Sequence, residues 1–281
     1  WDIVGKVARL PLYQLLGGAH RRQIPVYGYG MMLRQEGIAD LKARFADEAI
    51  AIKQSGFVAT KMQVGLGAKP DLELAAAVRK AIGDDYRFMV DANHCYTTSD
   101  AFHVGRGLED LNAYWFEEPI APEDHAGYRE LRAGLEINIS GGEAEFNRWG
   151  WRALLETRGL DIAQPEVCAL GGISEYLRVL ALCHAHFTPV VNHVWGSAVA
   201  VAANMHLLAA MPDLPGGLHP WDPMLEFDTT DNKFRDNLLQ QPLNIQNQVA
   251  SNNGYVALPQ GPGLGVSPDR DVLNHYNINN S

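Results

Sequence analysis

Arg87-Phe88-Met89-Val90-Asp91 is a short run with an apolar centre and a carboxylate as its last residue. The pattern repeats. Ala113-Tyr114-Trp115-Phe116-Glu117 ends on an acid 26 residues further on, and Ile137-Asn138-Ile139-Ser140 leads into Gly141-Gly142-Glu143 after another 26. Upstream, Lys61 ends a similar run 30 residues before Asp91; downstream, Glu166 and His193 follow at intervals of 23 and 27. Each interval matches one strand–loop–helix unit of roughly 30 residues. In a parallel barrel all strands end at the same rim, so six residues far apart in sequence would meet at one place, where such barrels carry their active sites.

Working outward, strand-like runs occupy 24–29, 59–64, 87–91, 113–117, 137–140, 161–164 and 189–193, with a weaker one over 218–227. Helix-length amphipathic segments lie between them, over 71–82, 98–111, 123–133, 148–158 and 174–186. Residues 1–17 read as one helix stopped by Gly17-Gly18. Strands alternating with helices predict a parallel sheet, and seven or eight such units close into an α/β barrel. No Gly-x-Gly-x-x-Gly follows the first strand, which argues against a dinucleotide fold. After Asn237 the alternation decays into Asn, Gln, Gly and Pro. Residues 1–236 are therefore read as the barrel, and 237–281 as loops and short strands packing outside it.

The length, 281 residues with 47% hydrophobic content, suits one large domain or a domain with an appendage. A net charge of −10 argues against a nucleic-acid partner. No apolar run reaches the roughly 18 residues that span a membrane. The three cysteines show no paired or zinc-type spacing and are read as small buried hydrophobes of a reducing cytoplasm. The chain opens on Trp1 without an initiator Met, so further N-terminal sequence is expected.

Asp91, Glu117 and Glu143 on successive strand ends would repel one another unless a cation sat among them, and hard oxygen ligands suit Mg²⁺. Glu166 and His193 form a second pair. A carboxylate on one imidazole nitrogen fixes the tautomer and raises the basicity of the other, which suits a general base. Lys61 is placed to hold a substrate carboxylate. Asn93 is placed to hydrogen-bond a substrate oxygen, and Tyr29 and Trp195 to wall the pocket. The other nine histidines are read as lying in helix-like segments and are assigned no role. Together these groups predict removal of the proton beside a carboxylate, with the metal stabilising the resulting enolate.

The motifs resemble the mandelate racemase subgroup of the enolase superfamily. Val90-Asp91-Ala92-Asn93, Trp115-Phe116-Glu117-Glu118-Pro119 and Gly141-Gly142-Glu143 are similar to its three metal-ligand motifs. Gln164-Pro165-Glu166 with Gly171-Gly172-Ile173, then Asn192-His193-Val194-Trp195-Gly196, resemble its acid/base strands, and Leu225-Glu226-Phe227-Asp228 its eighth-strand end. The resemblance implies a modified TIM barrel, (β/α)7β, with Mg²⁺. It also implies an N-terminal α+β capping domain, largely missing from this chain, which residues 237–281 would help complete. Glu226 is then the acid that hydrogen-bonds substrate, and a homo-oligomer is implied because family members commonly assemble. Acid-sugar enzymes look most similar, galactarolactone cycloisomerase-like members among them.

Two positions depart from the family pattern. Gln63 stands where the family usually keeps a second lysine base. It faces the substrate but accepts no proton at neutral pH, which argues against two-base racemisation. Glu166 stands where the dyad carboxylate is usually Asp, one methylene shorter. The expectation is therefore an acid-sugar (aldonate or aldarate) dehydratase working on one histidine. A sugar-lactone cycloisomerase or racemase and a non-catalytic acid-sugar binder are the alternatives.

Overall fold

The computed structural model describes residues 1–214 and 221–277. Seven strands form one parallel ladder: β1 (Gln23–Tyr29), β2 (Ala59–Gln63), β3 (Arg87–Asp91), β4 (Trp115–Glu117), β5 (Asn138–Gly141), β6 (Ile162–Ala163) and β7 (Leu225–Asp228). The order is β6-β5-β4-β3-β2-β1-β7. An eighth stave, residues 189–193, joins β6 through the parallel bridge Ala163↔Val190. Helices Ile38–Gln54, Ala68–Ile82, Thr98–Asp110, His125–Gly134, Asn147–Thr157, Ile173–Ala185 and Ala198–Ala210 follow the first seven staves in turn. This is the (β/α)7β arrangement expected from the sequence.

Residues 189–193 were expected as a strand and form only that bridge. Pro189 has no N–H to give a ladder. On the far side, side chains close the seam: the Trp221 indole donates to Val190 O (3.0 Å), and the Val194 N–H donates to Glu226 Oε2 (2.8 Å). The strand expected over 218–227 is observed as β7, and residues 218–220 lie outside the described residues. The first helix also differs from expectation. It breaks into Asp2–Ala8 and Leu12–Leu15, because Arg9 turns left-handed (φ 57°) and Pro11 cannot continue a helix.

Strand periodicity makes the interior a stack of two layers. Tyr27, Ala59, Met89, Trp115, Ile162, Val191 and Met224 form a buried cluster. Two residues along each stave, on the same face, stand Tyr29, Lys61, Asp91, Glu117, Gln164, His193 and Glu226. The polar rim therefore rests on an apolar floor. The alternate residues, Val26, Met62, Val90, Phe116, Ile139 and Phe227 among them, face outward into the core beneath the helices.

Within the C-terminal segment, residues 245–258 pack onto the barrel itself. β8 (Tyr255–Ala257) pairs antiparallel with the start of β1, and Ile245, Val249, Val256 and Leu258 join the core. No helix among the described residues is long and apolar enough to cross a membrane.

Candidate functional site

The rim gathers the six residues singled out by spacing. Lys61 has no exposed surface and sits among three carboxylates: Nζ lies 2.5 Å from Glu117 Oε1, 2.7 Å from Glu226 Oε1 and 3.4 Å from Asp91 Oδ2. The Tyr29 ring covers the ammonium at 4.2 Å, and the Tyr29 hydroxyl donates to Asp91 Oδ2 (2.9 Å). Glu117 Oε2 accepts from the Trp115 indole (2.9 Å). Burial pulls the Lys61 ammonium down, but Glu117 and Glu226 outweigh it and hold the group charged, well above the usual lysine range. One ammonium does not neutralise three acids, so burial and the surplus negative charge push Glu117 well above the usual carboxylate range. Expected to grip a substrate carboxylate from an open position, Lys61 is instead enclosed. Direct contact would require one of its acids to give way.

Glu226 is likewise fully buried. Oε1 faces Lys61 without hydrogen-bond geometry, and Oε2 accepts from Val194 N–H. In this arrangement both of its oxygens face protein groups, not solvent.

The dyad is formed. His193 Nδ1 lies 2.9 Å from Glu166 Oε2, so the longer glutamate reaches the imidazole. Glu166 Oε1 is turned back to accept the Cys168 N–H (2.7 Å), which anchors the extra methylene to the loop. His193 Nε2 lies 3.0 Å from Glu143 Oε2. Burial lowers the imidazole, but the Glu166 bond and the charges of Glu226 and Glu143 outweigh it and bring it to about 10. Burial raises Glu143 to about 7 against the pull of His193. Glu143 follows Gly142, whose φ of 114° is left-handed and where an added Cβ would run into the Trp151 ring.

Asp91, Glu117 and Glu143 fit a hard divalent cation by donor chemistry: all oxygen, with more negative charge than Lys61 offsets. They are not gathered around one point. No group of three or more His, Cys, Asp or Glu side chains among the described residues is arranged to hold an ion. Lys61 holds Glu117 and His193 holds Glu143.

The raised groups give a signed prediction. Between its unfolded and folded values each binds more protons folded than unfolded, so stability declines as pH rises through that interval. For Glu143 the interval runs from the ordinary glutamate value of 4.5 to about 7, and for His193 from the ordinary histidine value of 6.5 to about 10. In EDTA, thermal melts should lose on the order of 3 kcal/mol between about pH 5 and pH 9. Added Mg²⁺ should raise the midpoint most at the higher pH, where protons compete least for the carboxylates. A midpoint in EDTA that rises with pH would contradict this.

Asn93 is exposed at the rim, its N–H bonded to Asp91 Oδ1 (3.0 Å). Gln63 donates to Asn93 Oδ1 (2.6 Å). Trp195 stands half-open with its ring edge-on to Tyr29 at 5.7 Å.

Two features escaped the sequence reading. His94 is not in a helix; it follows Asn93 and pairs through Nε2 with the buried Glu118, whose other oxygen accepts from Gly142 N–H (3.3 Å). That bond holds the His94 imidazole above its usual range. Asn93, His94 and Glu118 all have positive φ (40°, 66° and 41°), a concentration of left-handed backbone typical of functional sites. The doubled acid of Glu117-Glu118 was the available signal. Cys95 and Cys168, expected to be buried, are exposed on the loops after β3 and β6; only Cys183 is buried.

Residues 44–272 match the family described as Enolase C-terminal domain-like. The chain is 38% identical over 278 residues to D-galactarolactone cycloisomerase of Agrobacterium fabrum, covering 99% of this chain and 71% of that protein. It is 31% identical over 277 residues to arabinonate dehydratase of Saccharolobus solfataricus, covering 98% and 69%. Among solved structures it superposes on 3,6-anhydro-D-galactonate cycloisomerase of Zobellia galactanivorans with a TM-score of 0.85 at 38% identity, covering 98% of this chain and 72% of that one. Members of the superfamily generally use Mg²⁺. With a (β/α)7β barrel, three carboxylates on consecutive strand ends and a His–Glu pair across the rim, the chain belongs to the Enolase C-terminal domain-like family, in the mandelate racemase branch of the enolase superfamily.

Proposed function

We propose that the rim is the active site of an Mg²⁺-dependent acid-sugar dehydratase in which His193 is the proton-transfer group. The carrying observation is the 2.9 Å contact between His193 Nδ1 and Glu166. It commits one ring nitrogen to a carboxylate; Nε2 meets Glu143 (3.0 Å), and a cation held by Glu143 would remove part of the charge that keeps the imidazole protonated, so that Nε2 could exchange protons with substrate. Asp91, Glu117 and Glu143 would hold the cation, which when bound offsets their charge and acidifies the carbon beside a substrate carboxylate. Lys61 keeps Asp91 and Glu117 in place from below, and Tyr29 donates to the same Asp91 oxygen that Lys61 faces. Asn93 meets a substrate oxygen, and Trp195 closes one side.

The reaction breaks the α C–H bond and the β C–O bond. The proton passes to His193 Nε2 and on to the departing hydroxyl. Water leaves, and the enol product rearranges to a 2-oxo acid. Gln63 supports elimination over racemisation because it offers no base on the second face. A second reading, cycloisomerisation of a sugar lactone, is favoured by the two relatives at 38% identity, both named cycloisomerases. There the ring oxygen departs in place of a hydroxyl.

Mass separates the two. Incubation with Mg²⁺ and arabinonate, D-xylonate or D-galactarolactone should yield a product lighter by one water for a dehydratase. A product of unchanged mass would assign the cycloisomerase reaction. Unaltered substrates throughout would overturn both.

A further inference from the structure

We infer that Gln63 is a positioning residue that fixes the polarity of Asn93, so that the site presents amide N–H donors to an oxygen acceptor on the substrate. This rests on the rim being the substrate site.

The inference follows from a chain of donors and acceptors anchored in the backbone. The Leu33 N–H, on the loop after β1, can only donate, and it donates to Gln63 Oε1 (3.0 Å). The Gln63 oxygen must therefore face Leu33, and its NH₂ must face away. That NH₂ donates to Asn93 Oδ1 (2.6 Å). Asn93 thereby spends its oxygen on protein. Its NH₂ has no protein partner among the described residues and remains for a ligand. Amide oxygen and nitrogen are nearly alike in shape, so a network of this kind sets which end points where.

The frame is rigid enough to carry the signal. Gln63 is the last residue of β2, in register with Asp91 of β3. Asn93 is held by its own N–H on Asp91 Oδ1 and by its left-handed backbone. The loop bearing Leu33 is pinned by Met31 N–H on Glu48 (2.6 Å) and by the Arg44 guanidinium on Met32 O (2.9 Å). Three consecutive strand ends thus agree on one orientation. Carboxylate, carbonyl and ring oxygens satisfy the Asn93 donors; an ammonium group does not. Gln63 thus acts through Asn93 and not on the proton.

The test is a double-mutant cycle with arabinonate and Mg²⁺. Gln63→Met keeps the volume and removes the relay, so KM should rise about three- to tenfold while kcat stays within about threefold. Asn93→Ala should raise KM at least as much. In the Asn93→Ala background, Gln63→Met should add nothing further, because its effect passes through Asn93. Additive effects would overturn the inference, since a merely structural Gln63 acts with or without Asn93. A second readout needs no substrate: hydrogen exchange of the Leu33 amide should quicken at least about tenfold in Gln63→Met. Unchanged exchange would show that no relay exists. A wild-type chain that neither binds nor alters arabinonate, D-xylonate or D-galactarolactone would count against the proposed function, and Leu33 exchange would still decide the relay.

Discussion

His193→Asn should lower turnover of an acid sugar on the order of 10³-fold, the usual contribution of a positioned general acid–base group. Asparagine keeps roughly the shape and a hydrogen-bonding end but neither takes up nor releases a proton at neutral pH. The loss should fall on kcat more than KM, since His193 acts on the reacting proton. Glu166→Gln should cost less, about 10- to 100-fold, because the imidazole stays in place while losing the charge that raises its basicity. Magnesium binding, followed by titration calorimetry, should survive both changes, since neither residue belongs to the carboxylate triad. A His193→Asn variant with near wild-type turnover would move the chemistry elsewhere on the rim.

Lys61→Met should lower stability by about 3–5 kcal/mol at neutral pH, the usual cost of leaving buried charges without their partner. Glu117 and Glu226 lie within 2.7 Å of an ammonium that has no exposed surface. Without it both carboxylates face a low-dielectric interior with only neutral donors. For a domain of this size the thermal midpoint should drop by roughly 10 °C. The loss should shrink as pH falls from neutral toward the ordinary carboxylate range and be smallest there, because carboxylates raised by burial take up protons in the fold before they do unfolded. Glu226→Gln in the Lys61→Met background should recover part of it, because one unpaired charge is then gone. Full stability in Lys61→Met, measured by denaturant unfolding, would show that the carboxylates are already neutral in the wild type.

The site was legible in sequence because each functional residue lies at or near the C-terminal end of a stave. The i, i+2 rule then carries Ala59 to Lys61, Met89 to Asp91, Trp115 to Glu117 and Met224 to Glu226, from apolar floor to polar rim. What the sequence could not supply was pairing across staves. Lys61 reads as a free cation and proves to be enclosed by acids from β3, β4 and β7. Glu166 reads as a misfit by one methylene, and the structure resolves it by tying its second oxygen to Cys168 N–H. His94 and Glu118 stayed hidden because their contact depends on left-handed backbone at both ends. The stave over residues 189–193 was overestimated because side chains, not a strand ladder, close its outer seam.

Solvent deuterium exchange at the substrate α-carbon tests the central claim most directly, since it registers proton abstraction whichever group then leaves. In D₂O with Mg²⁺ and arabinonate, D-xylonate or D-galactarolactone, the wild-type chain should place deuterium at the carbon beside the carboxylate in recovered substrate, or at the carbon next to the new carbonyl in a 2-oxo acid product. His193→Asn should not. No deuterium with any of these compounds, from a folded wild-type chain that binds Mg²⁺, would contradict a proton-abstracting role for the His193–Glu166 pair.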